Sequence, residues 1–195
     1  AYVGRFAPSP TGPLHEGSLL TAVASYLHAR QAGGRWLVRI EDIDPPRESP
    51  GAAAAILAAL DALDLHWDDE VLYQSTRLAA YADIAAALHA RGLAFECSCT
   101  RSELRSLSGD HPAAYPGTCR TRGMHRRATA LRMRVDAGPG PFEDLLQGTV
   151  EDALLAQHGD YIIKRRDGLP AYHLAVVVDD AFQGVTTIVR GVDLL

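Results

Sequence analysis

The chain opens on a stretch that leaves few structural choices: Tyr2-Val3-Gly4-Arg5-Phe6, then Ala7-Pro8-Ser9-Pro10-Thr11-Gly12-Pro13-Leu14, then His15-Glu16-Gly17-Ser18. An apolar start gives way to three prolines and a glycine. After Ser18, the residues Leu19, Val23, Tyr26, Leu27 and Arg30 recur at helical spacing. Proline fixes φ and removes a backbone donor, so a loop of this composition has few conformations. The pattern predicts a strand, a rigid loop and a helix over 18–31, stopped by Gly33-Gly34. The free amides of that helix start, reinforced by its dipole, face whatever lies over the strand end. This is the outline of a phosphate site with a histidine at its lip.

The rest of the chain alternates in kind. Trp36, Val38 and Ile40 interleave with Leu37 and Arg39 as a strand that ends in Glu41-Asp42-Ile43-Asp44. An alanine-rich helix is predicted over 51–64, with Ile56, Leu57, Leu60 and Leu63 on one face. A short extended or irregular link follows over 67–74, then a helix over 76–91 stopped by Gly92. Strand, helix, strand, helix, helix predicts an α/β domain with parallel strands. A further strand is expected over 93–97. From Cys97 to about Met124 the periodicity is lost and an insert begins. Short strands are expected at Leu131 to Val135, across 142–150, at 161–164 and at 185–189, with a hairpin turn at Asp167-Gly168. The segment 172–182 reads two ways: Val176-Val177-Val178 favours strand, and its length with Asp179-Asp180 suits a helix.

Composition narrows the class. At 195 residues the chain suits one large domain, or one with a small insert. No apolar run approaches ~18 residues and no basic-then-apolar leader opens the chain, so a cytoplasmic protein without membrane contact is expected. Three cysteines, two of them in Cys97-Ser98-Cys99, suit a reducing compartment and a metal better than disulfides. A net charge of −5 does not advertise nucleic-acid binding. Arg120, Arg122, His125, Arg126, Arg127, Arg132 and Arg134 nevertheless form an acid-free stretch, readable either as phosphate contacts for an RNA or as a solvated basic face.

Two nucleotide motifs are excluded. There is no G-x-x-x-x-G-K-[ST], and Lys164 is the sole lysine. There is no G-x-G-x-x-G after a strand. At the sheet rim, Arg5 and Glu41 would leave their strands at the same end, with Arg190 after the strand at 185–189. They would either face a common crevice or form a structural ion pair. In the loop, Cys97, Cys99 and Cys119 are three soft ligands for which zinc is the natural metal. Chemistry alone would complete the set with His111 or His125.

Several separate motifs, in order, carry a resemblance: R-F-A-P-S-P-T-G-P-L-H-x-G-S, L-V-R-I-E-D-I-D-P-P-R, C-x-C-T-R-x-E-L, Y-P-G-T-C-R, G-L-P-A-Y-H-L-A-V-V-V-D-D and R-G-V-D-L-L. They resemble the catalytic domain of class I glutamyl-tRNA synthetases across nearly the whole chain. They are closer still to the shortened branch of that family, which lacks an anticodon-binding domain and esterifies queuosine in tRNA(Asp). Tyr172-His173-Leu174-Ala175 stands where Y-N-F-A is usual, and Arg190-Gly191-Val192-Asp193-Leu194 where R-G-E-D-H is usual. The acidic step is E-D-I-D rather than the more usual E-D-T-D.

The resemblance implies a Rossmann-like parallel sheet, a class I aminoacyl-tRNA synthetase catalytic domain with a small zinc-binding insert. It divides the chain into 1–96, the insert 97–135, and 136–195. It implies ATP with Mg2+ as a substrate, contacted by His15, Gly17 and Ser18. His15 would stabilise the in-line transition state at the α-phosphate, and Gly17 would admit adenine against the backbone. It implies L-glutamate bound by Arg5, Phe6, Ala7, Pro8, Ser9, Glu41, Tyr172 and Arg190. It changes the metal set to Zn2+ on Cys97, Cys99, Tyr115 and Cys119, because Thr121 stands where a C-x-H ligand would be. The expected reaction is ATP-dependent formation of glutamyl-adenylate and transfer to queuosine-containing tRNA(Asp). Two alternatives stay open: the catalytic part of an enzyme charging tRNA(Glu), and a non-catalytic zinc-containing RNA-binding module. The family's KMSKS-type phosphate loop has no counterpart in these residues, so the chain is expected to stop short of it, binding glutamate but activating it poorly alone.

Overall fold

The computed structural model describes residues 1–108, 114–121, 128–137, 140–151 and 159–192. Two compact units are present: residues 1–78 together with 175–195, and residues 79–174.

The first unit is built on a parallel sheet of β1 (Val3–Phe6), β2 (Arg35–Ile40) and the two-residue β3 (Leu72–Tyr73), in that order. Between β1 and β2 runs α1 (Glu16–Gln31), two residues longer at its start than expected because His15 serves as its N-cap. The helix stops at Gly33, at φ 61°. Gly34 has a stronger reason to be glycine: a Cβ there would lie 2.4 Å from the Tyr2 carbonyl oxygen, where the chain enters β2. One face of the sheet is apolar. Phe6, Trp36, Val38 and Ile40 pack with Ala22 and Ala29 of α1 and with Ile56 and Leu60 of α2 (Ala52–Ala62). The Trp36 indole, fully buried, donates to Ser25 Oγ at 2.8 Å, so its polar edge is satisfied.

Beyond β1 the segment expected as a strand over 185–189 makes only a single parallel bridge, Gly4 to Thr187. The cause is visible in the hydrogen bonds. Thr186 and Thr187 both donate their amides to the Val3 carbonyl, and the Val3 amide goes to the Thr186 hydroxyl instead of a backbone carbonyl. A β-branched run that spends its side chain on the neighbouring strand cannot continue a ladder. The bridge still places this segment on the opposite edge of β1 from β2. β1 is thus the point where strand order reverses, the usual ligand crevice of such sheets.

The link over 67–74 contains β3 and leads into a 3-10 turn at Gln74–Arg77, which shortens the following helix to α3 (Leu78–Ala90). The second unit has an antiparallel sheet, β4 (Ala94–Cys97), β5 (Ala130–Met133) and β8 (Ile162–Lys164), so the parallel expectation holds for the first unit only. A separate hairpin pairs β6 (Phe142–Asp144) with β7 (Gly148–Val150). The loop expected to lack periodicity holds α4 (Arg101–Ser108). Its signal was present as Thr100-Arg101-Ser102-Glu103. The Thr100 amide donates to Glu103 at 2.6 Å and the Glu103 amide to Thr100 Oγ1 at 3.2 Å, a capping box. The ambiguous segment is helical, α5 (Tyr172–Gln183), with Ala175 and Asp179 buried four residues apart on one side. Among the described residues no helix is long and apolar enough to cross a membrane.

Candidate amino-acid and metal sites

Side chains alternate along β2, so the face opposite the apolar core carries Leu37, Arg39 and then Glu41. Arg5 joins them, because it pairs with Leu37 across the ladder. Arg5 stands near the C-terminal end of β1, and Glu41 directly follows β2. The charges on this face are met from α5. Asp180 Oδ1 accepts from Arg39 Nη1 at 2.8 Å and from Arg5 Nε at 3.3 Å. Arg39 Nη1 also donates to Gln183 Oε1 at 2.9 Å, and Arg39 Nη2 lies 3.4 Å from Glu41 Oε1. Next to this group Asp179 accepts from Arg77 Nε at 2.6 Å and Gln74 Nε2 at 2.9 Å, with the Arg77 guanidinium 3.7 Å over the Phe182 ring.

Arg5 and Glu41 therefore do not form the ion pair with each other that the sequence left open. Each is oriented by a different partner. Arg5 spends its Nε on Asp180, and among the described residues its two Nη groups have no protein partner, which suits a forked contact to a carboxylate. Burial pushes the Glu41 carboxyl up to about 7, against the pull of the Arg39 and Arg5 charges, with Asp180 adding to the rise.

The proline loop is pinned at two points. The Glu41 amide donates to the Pro8 carbonyl and the Ser49 amide to the Pro10 carbonyl, while Ser49 Oγ reaches the Thr11 carbonyl. Phe6 puts its ring into the core against Trp36, so only its backbone is left for a ligand. Ala7 is half-buried, Pro8 buried and Ser9 exposed. At the loop's end His15 is exposed and caps α1: Nδ1 accepts from the Ser18 amide at 3.2 Å and Nε2 lies 2.9 Å from Ser18 Oγ. A Cβ on Gly17 would come within 3.3 Å of the His15 ring, so the glycine leaves room for that ring. Arg190 is exposed three residues after the Thr187 bridge. Tyr172 belongs to the second unit, where it opens α5 half-exposed, its ring edge-on to His173 at 5.8 Å.

Sequence reasoning missed Arg39, Gln74, Arg77, Asp179, Asp180 and Gln183 as parts of this network. Arg39 had a signal, since it alternates with Glu41 on one strand face. The helix residues had none, because their partners lie more than a hundred positions away.

In the second unit the thiols of Cys97, Cys99 and Cys119 lie within 4.8 Å of one another. Cys99 and Cys119 sulfurs are 3.5 Å apart, and the Tyr115 hydroxyl is 3.4 Å from Cys97 Sγ and 3.8 Å from Cys99 Sγ. A tetrahedral ion with bonds of about 2.3 Å needs sulfurs roughly 3.8 Å apart, so the donors fit such an ion. For Cys119 burial opposes the thiolate, but donors from Tyr115, the Ser98 amide and Cys99 outweigh it and bring the group down to about 7. Burial pushes the Cys99 thiol up to about 11 and raises the Tyr115 phenol. His111 and His125, the ligands suggested by chemistry alone, lie outside the described residues.

The basic stretch is largely internal where it is described. Arg120 clamps the buried Asp160 carboxylate with Nε at 2.7 Å and Nη2 at 2.5 Å, and also reaches Asp136. Arg132 is buried over the Tyr115 ring at 3.9 Å and donates to the Asp160 carbonyl, while Arg134 sits 5.9 Å over Phe95. These arginines hold the loop rather than forming a free basic face. Arg122, His125, Arg126 and Arg127 lie outside the described residues, as do Asp193 and Leu194.

A parallel sheet with its strand-order reversal at β1, a proline loop delivering a histidine to a helix N-terminus, and a charged strand-end face define a class I synthetase type of α/β catalytic domain. The family model for tRNA synthetases class I (E and Q), catalytic domain, matches residues 2–195, and the chain belongs to that family. Similar curated proteins include the glutamyl-Q tRNA(Asp) synthetase of Dechloromonas aromatica, 56% identical over 100% of this chain and 66% of its own length. That of Pseudomonas putida KT2440 is 53% identical over 100% and 64%. The chain thus spans just under two thirds of these relatives. Among solved structures, the glutamate tRNA ligase of Elizabethkingia meningosepticum in complex with its amino acid superimposes with a TM-score of 0.83 at 27% identity. It is covered over 98% of this chain and 44% of its own. The glutamate-tRNA synthetase of Elizabethkingia anophelis gives 0.84, with the same identity and coverage.

Proposed function

We propose that the full-length protein activates L-glutamate with ATP as glutamyl-adenylate and transfers it to the queuosine base of tRNA(Asp). The observation that carries this reading is the strand-end pair on one sheet face: Arg5, whose Nη groups have no partner among the described residues and can take a carboxylate, and Glu41, which can take an ammonium. Ser9, the Pro8 and Phe6 backbone, Ala7 and Arg190 complete the proposed glutamate contacts from the first unit. Three observations support Mg2+-bound ATP at His15, Gly17 and Ser18. The helix N-terminus is exposed, its amide is held by a histidine that a phosphate oxygen can displace, and Gly17 is exposed with no side chain to block approach to the backbone. The names of the similar proteins support tRNA(Asp) over tRNA(Glu) as the acceptor.

Zn2+ is the proposed metal, held by Cys97, Cys99, Cys119 and Tyr115, and its part is structural: it ties the loop after β4 into one piece. Free thiols this close suit a reducing compartment, and the proposed location is the cytoplasm.

The test offers the full-length protein ATP and labelled glutamate, then tRNA(Glu) and tRNA(Asp) with and without queuosine. Label on queuosine-bearing tRNA(Asp) alone is the expected result. Label on tRNA(Glu) selects the glutamyl-tRNA synthetase reading, and no adenylate with any tRNA selects a binding module.

A further inference from the structure

The glutamate reading uses Arg5 and Glu41 but leaves unexplained why a third, fully buried guanidinium sits between them. Arg39 is 0% exposed. Its Nη1 serves Asp180 and Gln183, and its Nη2 faces Glu41. Its Nε is buried with no partner among the described residues, so the side chain bears the cost of an unmet donor. If Arg39 served only to attach α5 to the sheet, apolar packing would do as well or better, since buried ion groups seldom add net stability. A lysine would gather its three donors on one atom, whereas the rigid guanidinium spreads them over separate nitrogens, so Nη1 can serve Asp180 and Gln183 while Nη2 faces Glu41.

We propose that Arg39 is the positioning residue of the amino-acid site, holding Asp180 against Arg5 and standing against Glu41 so that both substrate-facing side chains are set together; this rests on the glutamate reading above. One oxygen, Asp180 Oδ1, takes both Arg39 Nη1 and Arg5 Nε. Arg5 is thereby fixed through its Nε edge, with its two Nη groups presented outward. Glu41 faces Arg39 from its own strand, Arg5 from β1 and Asp180 from α5. The two cations favour its charged form, and Asp180 with burial opposes it. Arg39 therefore supports Glu41 as an anion able to meet an ammonium, and supports Arg5 as a carboxylate fork, through contacts that never reach the substrate.

The test measures glutamate and ATP binding separately by calorimetry across pH 6–9, in the full-length wild type and in Arg39→Lys, Arg39→Gln and Asp180→Asn, each checked for a cooperative melt. Arg39→Lys is expected to weaken glutamate binding about tenfold while ATP binding stays within about twofold. Arg39→Gln is expected to move the pH midpoint of glutamate binding upward, because Glu41 loses a cation. If Arg39→Gln does not fold, Arg39→Lys and Asp180→Asn carry the comparison, with Asp180→Asn also selectively weakening glutamate. Folded variants that bind glutamate as wild type does, or that lose glutamate and ATP equally, overturn the proposal and leave Arg39 a structural residue. A wild type that binds ATP but no glutamate removes the glutamate reading and this inference with it.

Discussion

The sheet-face site and the thiol cluster solve the same problem, holding polar groups in a fixed geometry, by opposite means. On the sheet face, Arg5, Arg39, Glu41, Gln74, Arg77 and the acids of α5 come from four separate segments, and each charge is countered by another. The scaffold beneath them is a large apolar core on the other side of the strands. The thiol cluster draws on residues 97–119 alone. Among the described residues the apolar cluster around it is small: buried Phe95, Cys97 and Cys119, with Cys99 and Tyr115 beside them. The lesson is that a local loop with little core needs a cross-link at its centre, whereas a site at strand ends inherits its rigidity from the sheet.

Removing the proposed metal is the strongest way to sharpen this contrast. Chelation, or Cys119→Ser, is expected to lower amide-exchange protection around residues 97–120 by on the order of a hundredfold or more. Protection in β1 and β2 should hold. Equal loss in both regions, read by hydrogen exchange, would erase the distinction. Next in size is Asp160→Asn. The buried carboxylate is held below the usual range, burial opposing it and Arg120 and the Val135 amide outweighing burial. Its loss leaves Arg120 without its main partner and should cost about 3 kcal/mol, seen as a lower melting temperature. A neutral result would show that the loop does not depend on this clamp.

The smallest expected effect is on the sheet face itself. Glu41 binds a proton more tightly folded than unfolded, since burial raises it from 4.5 to about 7. Its stability contribution is therefore fully present below pH 4.5 and is lost as pH rises towards 7 and above. Glu41→Gln should melt a few degrees higher than wild type near pH 8, with the gap closing below pH 4.5. A variant less stable at pH 8 would show that the Arg39 contact outweighs the cost of burying the charge.

The same contrast explains what the sequence could show. The apolar face of the first unit was legible from Trp36, Val38 and Ile40, and α1 from its spacing. The cysteine loop was legible because its three thiols all lie between residues 97 and 119. The hidden α4 had a readable capping box at Thr100 and Glu103 that the polar composition obscured. The failure at 185–189 was different in kind. A β-branched run does predict extended backbone, but Thr186 turning its hydroxyl onto Val3 is tertiary chemistry that periodicity does not register. Likewise Asp180 reads as a helix residue, and only the fold brings it to Arg5.

The central claim is that the strand-end face selects glutamate. Its most direct test is calorimetric titration of glutamate, glutamine and aspartate into full-length wild type and Arg5→Met at pH 8. The account predicts binding of glutamate in clear preference to the other two, and a loss of about a hundredfold in Arg5→Met. Glutamine binding as tightly as glutamate, or Arg5→Met binding like wild type, would contradict it.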